Sequence, residues 1–250
     1  MQRSNLFGIS FTVTNYEELT TDIFNRINSS GSPRGAVAAL AVHGLMEAYN
    51  DQAFRAQVNS FDWVVPDGQP VRWALNYFHS LQIRKRVYGP ALMLHLLQRA
   101  AETGVSVFLY GSKAATLTLL EQNLKKKFPS LLIAGVQEDR FRESTEEEKK
   151  LDRETIIRSG AKIVFVGRGC PRQEKWVADN REHIPAVLVA VGAAFDFHAG
   201  TVKQAPRWMQ DNGMEWLFRL LQEPRRLWRR YVVTNSQFIL VFLSHLLRIK

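Results

Sequence analysis

Six short apolar runs recur along the chain between longer amphipathic stretches: AVAALAV from Ala36, WVVP from Trp63, VSVFLYG from Val105, LLIAGV from Leu131, AKIVFVG from Ala161 and AVLVAVGAAF from Ala186. Runs apolar at nearly every position suit strands covered on both faces, and helical patterns such as LMLHLLQRAAE between them supply the crossovers. The alternation predicts an α/β fold, a mostly parallel sheet covered by helices. At 250 residues and 46% hydrophobic, the chain can fill one large domain or a domain with an appendage. We divide it into an α/β core over residues 1–203 and a basic helical appendage over residues 204–250.

Ligands of Rossmann-like sheets gather at the carboxyl ends of the strands, so the strand ends are where chemistry is expected. Four stand out. In Val65-Pro66-Asp67-Gly68 a strand runs into a turn that presents one carboxylate beside a permissive glycine. Asp67 is a candidate general base, although Asp-Gly also serves as plain turn punctuation. Arg86-Val87-Tyr88-Gly89-Pro90 precedes a helix whose first N–H groups, with Arg86, can hold an anion. Tyr110-Gly111-Ser112-Lys113 is a strand-to-helix turn lacking the glycines of a dinucleotide fingerprint and the Gly-Lys-Ser/Thr of a P-loop. In Gly167-Arg168-Gly169-Cys170-Pro171-Arg172-Gln173-Glu174, two glycines allow close backbone approach to a ligand, while Arg172, Gln173 and Glu174 supply charge, amide and carboxylate. Cys170, the single cysteine, excludes a disulfide framework, and no histidine base pairs with it in the sequence. The charge-rich EDRFRESTEEEKKLDRE reads as a surface loop entering an exposed helix, without chemistry of its own.

FRLLQEPRRLWRRY, from Phe218 to Tyr231, puts Arg225, Arg226, Arg229 and Arg230 within six residues beside Trp228 and Tyr231, after Arg219. At helical spacing the four share one face, and forked guanidinium donors suit phosphates. A solvated basic face is the plainer reading. The net charge of +9 favours an anionic partner. Phe238 to Leu247 is too short to span a bilayer, which takes about 20 apolar residues. Behind a basic face, it fits a helix lying on an anionic membrane surface, or one packed on the core. The amino terminus lacks a secretory pattern, so the expected location is cytoplasmic, peripheral at the inner membrane face.

The elements PDG, RVYG, GCPRQEKW, VGAAFDFHAG, APRWMQ and EWLFRLLQEPRRLWRRY follow one another in an order that resembles the WecG/TagA/CpsF glycosyltransferases, glycosyltransferase family 26. The resemblance covers nearly the whole chain to Tyr231. It implies an inverting transfer of a hexose, N-acetylmannosamine-type or another, from a UDP-sugar to a polyprenyl-diphosphate-linked sugar. The products would be cell-envelope or exported polysaccharide. It implies Asp67 as catalytic base. It implies nucleotide-sugar contacts from Gln173 and its neighbours Gly169, Pro171, Arg172 and Glu174, and phosphate and membrane contacts from Arg219, Arg225, Arg226, Arg229 and Arg230. The strand ends add Gly68, Arg86, Gly89, Gly111, Ser112, Gly167, Gly192 and Asp196 as candidate substrate-binding residues. No Asp-x-Asp pair occurs in the chain, so catalysis without a metal or other cofactor is expected, with arginine in place of the ion. Asp196 and His198 on one segment are an incomplete metal set and read as structural polar groups.

Two departures from the family pattern stand out. Many members carry Thr-x-Asn where this chain has Ala39-Leu40-Ala41, leaving His43 as a substitute donor or a structural residue. Many also carry Arg before the Ala-Pro element, where this chain has Gln204, with Arg207 following. A noncatalytic nucleotide-sugar or lipid-diphosphate binder is the alternative, and retention of Asp67 favours the enzyme. Nucleic acid is not an expected partner, since no recognition motif is present. Self-association is compatible with the family, but no heptad marks an interface.

Overall fold

Every apolar run of the sequence becomes a strand, and all but the run from Leu131, which leaves Ala134 and Val136 exposed, split their side chains between two covered faces. The computed structural model describes residues 1–29 and 33–248. The chain opens with an antiparallel hairpin, β1 (Arg3–Leu6) and β2 (Ile9–Thr12), then α1 (Tyr16–Asn28) and β3 (Gly35–Leu40). It continues with α2 (Val42–Asn50), α3 (Gln52–Asn59), β4 (Trp63–Pro66), α4 (Gln69–His79), α5 (Gly89–Thr103) and β5 (Val107–Gly111). Next come α6 (Ala114–Lys127), β6 (Ile133–Gln137), α7 (Glu146–Ser159), β7 (Ile163–Gly167), α8 (Arg172–Asn180) and β8 (Val187–Ala190). Four further helices follow: α9 (Ala194–Ala199), α10 (Arg207–Asp211), α11 (Glu215–Gln222) and α12 (Pro224–Arg248).

β3 to β8 form a six-stranded parallel sheet in the order β4-β3-β8-β7-β5-β6. Period-two alternation sends Ala36, Ala38, Leu40, Val164 and Val166 to one hydrophobic core, and Val37, Val65, Ile163, Phe165 and Val189 to the other. The result is the Rossmann-like layering expected from the sequence. The chain runs from β3 outward to β4 on one side and from β5 outward to β6 on the other, a reversal of strand order at whose carboxyl ends such sheets bind their ligands.

The hairpin β1–β2 was not read from the sequence. Its signal is the alternation in ISFT after the Phe7-Gly8 turn, where both residues take positive φ. Thr12 Oγ1 accepts from the Val64 N–H at 3.2 Å, tying the hairpin to β4. The inner face of α12 packs on the core: Phe238 meets Phe7 with ring centroids 5.9 Å apart, and Phe242 meets Phe78 at 5.0 Å. Among the described residues no helix is long and apolar enough to cross a membrane.

Candidate active site

Asp67 stands one residue past β4, its N–H donating to the Leu40 carbonyl at 3.1 Å, so the turn prolongs the sheet by one rung. Its Oδ1 accepts from the N–H of Gly89, the first residue of α5, at 2.6 Å. A side chain at position 89 would stand 3.2 Å from the Val191 carbonyl oxygen and 3.4 Å from the Ala39 methyl, so glycine permits α5 to start this close. Burial, above all, together with the negative charge of Glu215, raises the Asp67 carboxyl to about 6, against the opposing pull of Arg86, the Gly89 N–H and Arg219. A carboxylate poised there can accept a proton at neutral pH.

Arg86 and Tyr88 flank this carboxylate and converge on Glu215. Arg86 donates to Glu215 Oε2 and Tyr88 Oη to Glu215 Oε1, each at 2.6 Å. The Arg86 guanidinium also lies over the Tyr88 ring, 4.3 Å from its centroid. Gln204, which stands where many members have Arg, donates to Tyr88 Oη at 3.2 Å, while Arg207 is exposed. Ala39 and Ala41 line the same corner, Ala41 Cα lying 3.5 Å from where a Cβ on Gly68 would sit. A cleft of about 470 Å³ borders this corner, with Tyr16, Arg84, Lys85 and Arg86 in its wall.

The loop after β7 supplies the next wall. Gly167 packs under Phe195, whose ring would meet an added Cβ at 2.6 Å, and Gly169 takes φ 75°. A cis Cys170–Pro171 peptide leads into α8. Gln173 is buried with both ends of its amide engaged: Oε1 accepts from the Gly192 N–H at 3.0 Å, and Nε2 donates to Glu174 Oε1 at 2.8 Å. Gln173 therefore braces the Gly192 turn, whose φ is 61°. Burial pushes the Glu174 carboxyl up. Burial first, then Glu174, pushes the Cys170 thiol well above its ordinary range, which removes it as a nucleophile near neutrality.

Arg172 turns away from this wall to a separate cluster at the ends of β5, β6 and β7. Gly111 and Gly167 pair in register, and a Cβ at Gly111 would lie 2.7 Å from the Gly167 carbonyl oxygen. Ser112 accepts at its carbonyl from the Asp139 N–H at 3.0 Å, and Asp139 binds Arg168 at 2.9 Å and Arg172 at 2.8 Å. Asp152 is buried beside it, bonded by Arg140 at 2.5 Å and Tyr110 Oη at 3.0 Å. The charge-rich stretch is thus more than the surface loop and exposed helix expected from its composition. Two of its carboxylates are buried because arginines neutralise them, a pairing that composition does not reveal.

The five arginines of the C-terminal segment divide. Arg219, on α11, lies near the base: its charge reaches Asp67 and Asp196, its guanidinium stands 5.7 Å from the Phe197 ring centroid, and its Nε is buried without a hydrogen-bond partner. Arg230 is half-buried, and its positive charge, after burial, helps hold His43 down to about 4, so that His43 is neutral at pH 7. Arg226 is exposed, pairs with Glu223 and adds its charge to Asp196. Arg225 and Arg229 point to solvent, so the single arginine face expected from spacing has an inner and an outer half. Asp196 is drawn toward the arginines, whereas His198 Nε2 meets the Pro90 carbonyl at 2.9 Å. Among the described residues no three His, Cys, Asp or Glu side chains are placed to hold a metal ion together.

Residues 4–250 match the model of the glycosyl transferase WecG/TagA/CpsF family. The chain belongs to the WecG/TagA/CpsF family. It is accordingly a glycosyltransferase of cell-envelope polysaccharide synthesis. In this WecG/TagA/CpsF chain the structure gathers Asp67, Gly68, Arg86, Gly89 and Arg219 at one corner, with Gly167, Gly169, Pro171, Gln173 and Gly192 forming the wall beside it. Gly111, Ser112 and Arg172 lie in the Asp139 cluster, and Arg225 and Arg229 lie outside both. Sequence reasoning gave Glu215 and Tyr88 no role. Their signal in the RVYG and EWLFRLL elements was only a phenol and an acid, and the acid has Arg219 one helical turn on as its apparent local partner.

Proposed function

We propose that the protein is an inverting hexosyltransferase that takes a UDP-sugar as donor and a polyprenyl-diphosphate-linked sugar as acceptor. The observation that carries this reading is Asp67, a half-buried carboxylate whose desolvation raises it to about 6 beside Arg86 and Arg219 at the carboxyl edge of a parallel sheet. In the step, an acceptor hydroxyl attacks the anomeric carbon and passes its proton to Asp67. The bond from that carbon to the diphosphate oxygen breaks, and the nucleoside diphosphate leaves with its charge held by arginines. Arg219 and Arg230, inside the site, supply that charge without a metal ion. The experiment is transfer from a panel of UDP-sugars to a short-chain polyprenyl-diphosphate sugar in EDTA, followed by mass spectrometry. One added hexose is expected; transfer that requires a divalent ion would contradict the metal-independent part.

The outer face of α12 supports a peripheral place on the membrane. Trp228, Val232, Ile239, Leu240 and Leu243 are 46 to 68% exposed on it, interleaved with Arg225 and Arg229. Hydrocarbon for the acyl boundary and cations for anionic headgroups are the two signals of an interfacial helix. Sedimentation with vesicles containing phosphatidylglycerol should show binding that weakens as salt rises, because screening acts on the charge contribution. Failure to bind at every salt concentration would refute the membrane reading.

A further inference from the structure

We propose that Glu215 is a positioning residue for the transfer, a carboxylate that holds Arg86 and Tyr88 so that Asp67 remains free to act as base. The inference rests on the reading of Asp67 as that base. Glu215 opens α11 and lies 129 residues along the chain from Arg86, so no local turn brings them together. The pair is well enclosed, with side chains 10% and 13% exposed. Both Glu215 oxygens are occupied, one by Arg86 and one by Tyr88.

The short run from Arg86 to Gly89 transmits this hold to the catalytic corner. The Val87 N–H donates to the Pro66 carbonyl at 3.0 Å, the Tyr88 N–H to Tyr16 Oη at 2.9 Å, and the Gly89 N–H to Asp67 Oδ1 at 2.6 Å. Four successive residues thus tie Glu215, the end of β4, α1 and Asp67 into one unit. The groups acting on Asp67 are Tyr16 from α1, Arg86 and Tyr88 from the loop, the Gly89 N–H from α5, and Glu215 and Arg219 from α11.

Arg86 has two carboxylates within electrostatic reach, and it bonds to Glu215. If Glu215 loses its charge, Asp67 is the remaining anion for Arg86. An arginine beside a carboxylate stabilises its ionised form and weakens it as a base. Glu215 therefore offsets the cation that pulls most strongly on Asp67, and it does so from the C-terminal segment.

The test is the pH dependence of kcat/KM for transfer, comparing the full chain with Glu215→Gln and Tyr88→Phe. In the wild type the acid limb is expected near pH 6. In Glu215→Gln it should move down by about one unit or more, with a plateau at least about tenfold lower. Tyr88→Phe keeps the ion pair, so its limb should stay in place. An unmoved limb in folded Glu215→Gln overturns the inference. Should that variant not fold, Glu215→Asp withdraws the carboxylate by one methylene: a partial shift supports the proposal and an unmoved limb overturns it. Failure of the underlying reading is distinct, because Asp67→Asn would then retain transfer.

Discussion

Asp67→Asn abolishes most transfer, lowering kcat by about 10²- to 10⁴-fold, while donor affinity stays within a few-fold of wild type. Asparagine keeps an oxygen for the Gly89 N–H bond at nearly unchanged shape, so the turn after β4 survives. What it lacks is a site for the acceptor's proton. The substitution should also leave stability intact. The folded carboxyl is raised from 3.8 to about 6, so ionising it costs the folded state stability as pH rises through that window. Asn removes that cost, and at pH 7.5 its Tm should equal or exceed the wild-type value. Steady-state kinetics, calorimetric UDP binding and a thermal melt together check the prediction. Wild-type turnover in a folded variant would remove Asp67 from the chemistry, and unchanged donor binding without turnover in the wild type itself would favour a noncatalytic binder.

Arg219→Gln is expected to lower kcat by about 10²-fold, the scale associated with one donor to a developing oxyanion, with a smaller change in donor KM. Arg219 combines a buried, partnerless Nε with proximity to Asp67, and both features suit a group waiting for an anion. Arg230→Gln should follow in the same direction, since Arg230 is enclosed against His43 and Cys170. Arg225→Gln and Arg229→Gln should leave transfer to a short, water-soluble acceptor unchanged, because both side chains face solvent. Their effect belongs in vesicle binding. The contrast is the informative part: equal losses across all four variants would mean that the arginines act as a diffuse field and not as an inner and an outer set.

The sheet was legible because its six strands are apolar on both faces, a pattern that helix-covered parallel strands produce and few other elements share. Asp67 and the Gly167 to Glu174 loop were legible because strand ends are the only places in such a sheet where polar groups can gather without being covered. Pairings over long sequence separations were not. Gln173 looked like a free ligand-binding amide, yet both its ends bond inside the protein, to Gly192 and Glu174. Arg172 looked free as well, but Asp139, 33 residues earlier, claims it. Glu215 was visible as a residue and invisible as a partner, since nothing local in EWLFRLL reveals that Arg86 and Tyr88 stand opposite. The division of the arginines likewise depends on which side of α12 the core takes, and that is set by Leu227, Phe238 and Val241 being buried.

The most direct test of a single displacement assisted by Asp67 is the anomeric configuration of the newly added sugar, read by proton NMR at short reaction times. An α-linked UDP-sugar donor should yield a β-linked product, because the acceptor attacks the face opposite the departing diphosphate. An α-linked product would require a second displacement or a front-side path, and would contradict the account.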